Sequence, residues 1–283
     1  MSRSEHPILI GCSGWSYADW AGPFYPEGLP AADYLEYYAD RFAAVEVDST
    51  FYRPPTARMV RGWHDRTPDD FRFALKVPQI ITHEKKLVGC DKEVDGFVAA
   101  IEPLGEKLAC ALLQMGYFNK GAFRTFAEFL EVLDAFLGRW PHDRVPLAVE
   151  TRNPRWVNKE FLDLLRSHQA AFTLTEQKWM PRPPEILAKL DPITGPLAMV
   201  RLLGDREAIE KVTTSWDSPV FDRTDELAET AAVVSRLARR VPVLVFANNH
   251  YEGYAPATVA KLRRLLGQPA PEPPERPRTT LFD

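Results

Sequence analysis

Short apolar runs recur along the chain, each followed by a polar stretch and usually by a helical pattern. They fall at Ile8–Gly11, Ala44–Val47, Phe71–Val77, Leu108–Leu113, Leu147–Val149, Ala171–Leu174, Leu197–Leu202 and Val243–Ala247. Between them apolar residues return every three or four positions, the signature of an amphipathic helix. Leu35, Tyr38 and Phe42 share one such face, as do Val94, Phe97, Val98 and Ile101, and Phe126, Phe129, Leu130 and Leu133. Phe161, Leu164 and Leu165 mark another helix, and Leu227, Ala231, Val234 and Leu237 the next. A last helix near Ala257–Leu266 stops at Gly267. Eight strand–helix repeats predict a parallel sheet closed into one (β/α)8 barrel, and 283 residues suit a single domain of that kind. The barrel is expected over residues 1–267. An open doubly wound sheet is the alternative, but Gly11, Gly14 and Gly22 lack the spacing of a dinucleotide-binding turn.

Two segments stand apart. The polar loop Leu203–Arg223 after the seventh run is long enough to suggest a lid or binding loop. Residues 268–283 are rich in proline (Pro269, Pro271, Pro273, Pro274, Pro277) and predict an extended tail with too little apolar area to fold alone.

Charge enters at the ends of the runs. A barrel strand is buried on both faces, and an unpaired charge buried against helices is costly, so ionised groups must point into the lumen or its mouth. Catalytic groups of such barrels project from the C-terminal strand ends. The second run gives Glu46 and Asp48, the third Lys76 with His83 beyond it, and the fourth Gln114. The fifth gives Glu150 and Arg152, the seventh Arg201, and the eighth Asn248, Asn249 and His250. Lys76, Arg152, Arg201 and His83 can clamp phosphate or carboxylate. Glu46 and Glu150 can do acid–base work if Lys76 and Arg201 push their pKa values apart. Glu46, Lys76, Glu150 and His250 are therefore the candidate catalytic residues. Trp15, His83, Gln114, Arg152, Arg201, Asn248 and Asn249 are the candidate ligand contacts. A buried Glu–Arg or Glu–Lys pair can also be purely structural.

Composition narrows the chemistry. A net charge of −4 and a pI near 5.9 argue against coating nucleic acid by bulk electrostatics and leave direct binding by a local basic pocket open. Cys12, Cys90 and Cys110 have no close spacing, which rules out a disulfide framework and disfavours a zinc–thiolate site. His83, His250, Glu46 and Glu150 are acceptable metal ligands, but Lys76 and Arg201 in the same lumen would repel a cation, so no metal and no organic cofactor is assigned. Cys12 reads as a small buried thiol rather than a nucleophile. Lys76 is not read as a Schiff-base amine, because neighbouring carboxylates should raise its pKa. Trp15, Tyr17, Trp20, Phe24 and Tyr25 either stack on a planar or sugar-like ligand or cap the barrel. No secretory or membrane-spanning run is seen, so a cytoplasmic location and no membrane partner are expected.

Taken in order, Gly11–Trp20 (GCSGWSYADW), Phe24–Leu29 (FYPEGL), Val45–Pro55 (VEVDSTFYRPP) and Phe73–His83 (FALKVPQIITH) resemble the YecE-like proteins, domain of unknown function 72. Glu150–Trp156 (ETRNPRW) and Asn248–Ala255 (NNHYEGYA) extend the resemblance from Ile10 to about Leu266. It implies a barrel related in shape to the xylose-isomerase and endonuclease IV group, and it supplies no activity. Two positions depart from the family's pattern. Gln114-Met115-Gly116-Tyr117 stands where the family usually has Gln-Phe-Pro-Pro, and Arg201-Leu202-Leu203-Gly204 where it usually has Arg-x-His-Gly. The second departure removes a histidine base from that position.

The leading expectation is an enzyme acting on a small anionic, phosphate- or carboxylate-bearing substrate by acid–base or hydrolytic chemistry without an organic cofactor. The alternative is a non-catalytic ligand-binding or accessory protein linked to nucleic-acid metabolism. The ending Pro277–Asp283 carries the apolar pair Leu281-Phe282 and partly resembles the short peptides that bind bacterial sliding clamps, with Arg278 where that motif has glutamine. It suggests a protein partner for the tail, or a tail folded back on the barrel.

Overall fold

The structure, a computed structural model, describes residues 6–271. The Leu281-Phe282 pair and most of the proline-rich tail lie outside the described residues. Eight parallel strands close in sequence order into one barrel. They are β1 (Ile8–Ser13), β2 (Ala44–Val47), β3 (Arg72–Lys76), β4 (Leu108–Gln114), β5 (Leu147–Glu150), β6 (Ala171–Gln177), β7 (Ala198–Gly204) and β8 (Val243–Ala247). Helices over Tyr34–Ala39, Ala57–Asp65, Asp91–Ile101, Phe126–Leu137, Lys159–Ser167, Pro183–Lys189, Thr224–Leu237 and Ala255–Leu265 alternate with them. No described helix is long and apolar enough to cross a membrane.

The apolar runs mark the strands, but several strands outlast their runs. β1 continues to Ser13, β4 to Gln114, β5 to Glu150 and β6 to Gln177. Each extension ends on a polar residue. Ladder pairing depends on backbone groups, so it does not stop where side chains turn polar.

Alternation along the strands sorts the side chains into two sets. Ala44, Ala74, Cys110, Leu112, Ala148, Met199, Leu244 and Phe246 pack together as the lumen. Their neighbours Val45, Leu75, Ala111, Val149, Val200 and Val245 face the helices in the larger cluster. Two steps beyond lumen residues come Glu46, Lys76, Gln114, Glu150 and Arg201, so the strand period itself aims these polar groups inward. Cys12 belongs to the outer set. It is buried, and burial pushes its thiol far above the ordinary value.

Between β1 and β2 a side chain replaces part of the ladder. The Tyr38 hydroxyl donates to Ala44 O at 3.0 Å and accepts from Cys12 N at 2.7 Å. Gly11 permits this approach, since a Cβ there would stand 1.7 Å from Ala44 O. The first loop resolves into two parts. Trp20, Phe24 and Tyr25 are buried against the first helix, where Tyr25 stacks on Tyr34 at 3.8 Å. Trp15 and Tyr17 instead line a cleft of about 240 Å³ beside Asp48.

The long loop after β7 carries a short helix, Arg206–Glu210, and is tied to its neighbours. Trp216 N donates to Asp19 Oδ2 at 3.0 Å, and Val220 N donates to Glu252 O at 2.6 Å. Gly204, with φ +68°, lets the end of β7 pass under the turn after β8, where a Cβ would meet His250 O at 2.4 Å.

Candidate functional site

The centre of the mouth is an ion cluster built across the lumen. Arg201 is about 2% exposed, and Glu46 and Glu150 are fully buried. Arg201 Nε and Nη2 donate to Glu46 Oε2 and Oε1 at 2.6 and 2.5 Å, a bidentate fork. Its Nη1 donates to Glu150 Oε2 at 2.7 Å. The other oxygen of Glu150 lies 2.6 Å from Arg152 Nε. All three nitrogens of Arg201 thus donate to buried carboxylates, so of the four groups expected to clamp an anion this one is enclosed among the protein's own glutamates.

The two glutamates sit in different fields. Burial pushes the Glu46 carboxyl up, Asp48 adds to this, and the Arg201 fork works against it. Burial also acts upward on Glu150, but Arg152 and Arg201 together bring it below the ordinary carboxylate range. Arg201 stays charged: burial disfavours its cation, and the carboxylates of Glu150 and Glu46 outweigh that.

Above this floor stands Lys76. Its Nζ is 3.5 Å from Asp48 Oδ1 and 4.2 Å above the ring of Phe51. The carboxylates do not raise it on balance, contrary to the expectation from sequence. Burial lowers the Lys76 pKa, Asp48 opposes, and the Arg201 charge beneath lowers it further. Desolvation wins because the ammonium is largely enclosed while its nearest carboxylate is not in hydrogen-bond contact. His83 sits on a single π-helical turn, Ile80–Glu84, with Nδ1 2.8 Å from Thr82 Oγ1 and its ring edge-on to Phe51. Burial lowers its pKa, and the charges of Lys76 and Arg152 act in the same direction. Lys76 and His83 thus both pack on the Phe51 ring, and the Arg152 charge reaches His83.

The remaining expected residues fall outside this group or support it. Gln114, paired with Glu150 in the β4–β5 register, donates from Nε2 to Met115 O at 2.5 Å. Asn248 Oδ1 accepts from His250 N at 3.0 Å and lies 2.5 Å from His250 Nδ1. His250 Nε2 turns to Glu210, 3.2 Å away, and the ring packs on Trp216. Its pKa is lowered by burial, with Glu210 opposing. His250 and Asn248 therefore form the wall toward the β7 loop. Asn249 follows the outward row of β8, and its Oδ1 accepts from Ala255 N at 2.9 Å, fixing the start of the last helix. Trp15 packs edge-on against Trp63 and faces the cleft by Asp48.

Sequence reasoning missed Gln177, whose Oε1 accepts from Arg152 Nη1. The signal was present: β6, like β1, is given no polar group at its end by the sequence pattern, and Gln177 lies an even number of steps from the lumen residue Ala171. It also missed Phe51, which lies in the Val45–Pro55 motif but whose apolar type gives no sign of a place in the site. Gly116 is a third: a Cβ there would lie 3.0 Å from the His83 ring. Among the described residues no group of three or more His, Cys, Asp or Glu is placed to hold a metal ion.

A family model described as "Protein of unknown function DUF72" matches residues 9–281. The fold is similar to a crystal structure of a DUF72 family protein from Thermotoga maritima, 28% identical, with TM-score 0.76, covering 93% of this chain and all of that one. A DUF72 family protein from Enterococcus faecalis is similar at TM-score 0.67 and 22% identity, covering 94% of this chain and 100% of that one. The UPF0759 protein YecE of Escherichia coli is 31% identical over 153 residues, 54% of this chain and 51% of that protein. The matched part thus spans about half the length of that relative.

Proposed function

The chain belongs to the DUF72 family, and from that premise we propose that it is an enzyme acting on a small anionic substrate at the C-terminal mouth of the barrel by acid–base chemistry. The observation that carries this reading is the arrangement of Lys76, Arg152 and His83 over the buried Arg201 cluster. A structural ion pair needs two partners, whereas this lumen encloses Glu46, Glu150 and Arg201 completely and then sets two further cations above them. Such an assembly is expensive to desolvate, and strongly perturbed groups meeting in a barrel mouth mark functional sites.

Each residue has a role in this reading. Arg152, whose side chain is about 20% exposed, and His83 hold the phosphate or carboxylate of the substrate. Lys76, with its lowered pKa, and Asp48, the more exposed carboxylate at 3.5 Å, form the couple that takes and returns a proton. Glu46, Arg201 and Glu150 fix the positions and the field of that couple. Glu46 and Glu150 thus act on the reaction through Arg201 and Arg152 rather than by touching substrate, and His250 shapes the wall.

A thermal-shift screen of phosphorylated and carboxylated metabolites tests the binding step. A ligand present at about 100 times its Kd stabilises the fold by roughly 2.7 kcal/mol. The shift is expected to disappear in Arg152→Ala and the turnover of the bound compound in Lys76→Ala. Failure of every small anion to bind, or full turnover by Lys76→Ala, overturns the assignment.

A further inference from the structure

The loops around the mouth are divided by charge. Those after β3, β4, β5 and β6 (residues 77–90, 115–125, 151–158 and 178–182) hold eight lysines and arginines and one acid, Glu84. Those after β7, β8 and β1 (205–223, 248–254 and 14–33) hold nine acids and three cations. A chain with net charge −4 has therefore gathered a basic arc on one side of its mouth. Lys85, Arg152, Lys178 and Arg182 are paired with Glu93, Glu150, Asp205 and Glu176, whereas Lys120, Arg124 and Arg155 are exposed and form no ion pair among the described residues.

The exposed aromatic residues follow the same division. Among the described residues Tyr52, Tyr117 and Trp179 are the aromatic side chains that are mostly exposed, at 72%, 69% and 60%. They stand on the loops after β2, β4 and β6, that is, on and beside the basic arc. Lys178 Nζ, 2.6 Å from Asp205 Oδ2, lies 4.7 Å over the Trp179 ring. Burial would have been the cheaper fate for such rings, and the barrel does bury most of its others.

The arc is continuous. His83 of the β3 loop lies close beside Gly116 of the β4 loop, where an added Cβ would stand 3.0 Å from its ring. Phe118 N donates to Asn153 Oδ1 at 3.0 Å, and Asn153 Nδ2 donates back to Phe118 O at 2.8 Å, joining the β4 and β5 loops. Arg152 and Gln177 join β5 to β6. Hence Tyr117, Arg155, Lys178 and Trp179 border one surface.

We infer that this arc is a binding surface for single-stranded nucleic acid, with backbone phosphates along the cations and bases stacked on Tyr117, Trp179 and Tyr52. Cations alone would suit any polyanion, and rings alone would suit a saccharide. Rings set among cations on neighbouring loops of one surface suit the phosphates and bases of a single strand. A duplex hides its base faces and cannot use them. The inference goes beyond the acid–base reading and does not need it, because a strand can be held by the arc whether or not the mouth does chemistry.

Fluorescence anisotropy with a labelled oligothymidylate of roughly sixteen nucleotides tests it. Micromolar binding that weakens as salt rises is expected. The double substitution Tyr117→Ala/Trp179→Ala is expected to weaken it about tenfold or more, while binding of a labelled polyphosphate of similar charge stays unchanged. Both rings are exposed, so the fold has no stake in them. Absence of oligonucleotide binding overturns the inference, as does binding that the double substitution leaves intact. Preference for duplex, or for an uncharged xylan oligosaccharide, also overturns it. Strand binding without turnover of any small anion removes the acid–base reading and leaves this one standing; small-anion turnover without strand binding does the reverse.

Discussion

Arg201 and Glu46 grip each other across the lumen, Nε and Nη2 to the two carboxylate oxygens at 2.6 and 2.5 Å, although 155 positions separate them in the chain. With Glu150 on the other side, one guanidinium ties β7 to β2 and β5 at the level where the barrel opens. Hydrogen bonds of the strand ladders close the barrel, and this cluster sets the charge of its floor.

Removing the cation strands two buried carboxylates. Arg201→Met should therefore destabilise the fold by roughly 3–5 kcal/mol, read from the midpoint of urea unfolding. Glu46→Gln should cost less, because Glu150 still balances Arg201. An Arg201→Met protein within about 1 kcal/mol of wild type, the range of exposed pairs, would show that water reaches the cluster.

The two glutamates should give stability opposite dependences on pH. The folded pKa of Glu150 lies below the ordinary value of 4.5, so its contribution is present above pH 4.5 and lost as pH falls through the folded value. That of Glu46 is raised, so its ionisation costs stability as pH climbs from 4.5 through the folded value. Melting temperatures measured across this range should show the wild type losing ground to Glu150→Gln on acidification and to Glu46→Gln on the way up. Slopes of the same sign in both comparisons contradict the assignment of environments.

Lys76 supplies a third test at alkaline pH. Its folded pKa is below 10.5, so the unfolded chain binds more protons between the two values and stability rises with pH there. The difference in melting temperature between wild type and Lys76→Met should grow in favour of the wild type across that window. A flat difference would mean that the ammonium is solvated.

Gly116→Ala tests the position of His83. The added Cβ meets the imidazole at 3.0 Å, and the ring must give way. Because His83 is partly exposed, the cost to stability should be below about 1 kcal/mol, less than overpacking a closed core. The expected change is in the chemical shifts and titration of the His83 ring by NMR, with weaker phosphate binding. An unmoved His83 spectrum refutes the contact.

Purified protein should contain far less than one transition metal per chain by elemental analysis, because Arg201, Lys76 and Arg152 surround the carboxylates that would otherwise bind it. About one zinc or manganese per chain would require those cations to move and would reassign Glu46 and Glu150 as ligands.

Much of the barrel was legible along the chain because its strands are buried on both faces, and such strands read as short apolar runs. The inward aim of Glu46, Lys76, Glu150 and Arg201 was also implicit, since each lies two steps from a lumen residue and the strand period is two. Parity could likewise have separated Asn249, which helps fix the last helix, from Asn248, and could have singled out Gln177 at the end of β6.

What the sequence determined by itself is therefore the fold class, the family and the residues offered to the mouth, all of which depend on local period and residue type. Who pairs with whom was decided by tertiary structure. Arg201 could have faced a ligand as readily as two glutamates, and only closure of the barrel brings β2, β5 and β7 to one point. Lys76 shows the physical reason most clearly. Its carboxylate neighbours could be read from the chain, but the sign of its pKa shift depends on how far it is enclosed and on a 3.5 Å distance to Asp48, and both are set by packing across the lumen. Coulomb and desolvation energies are functions of separation and burial in space, and position along the chain fixes neither.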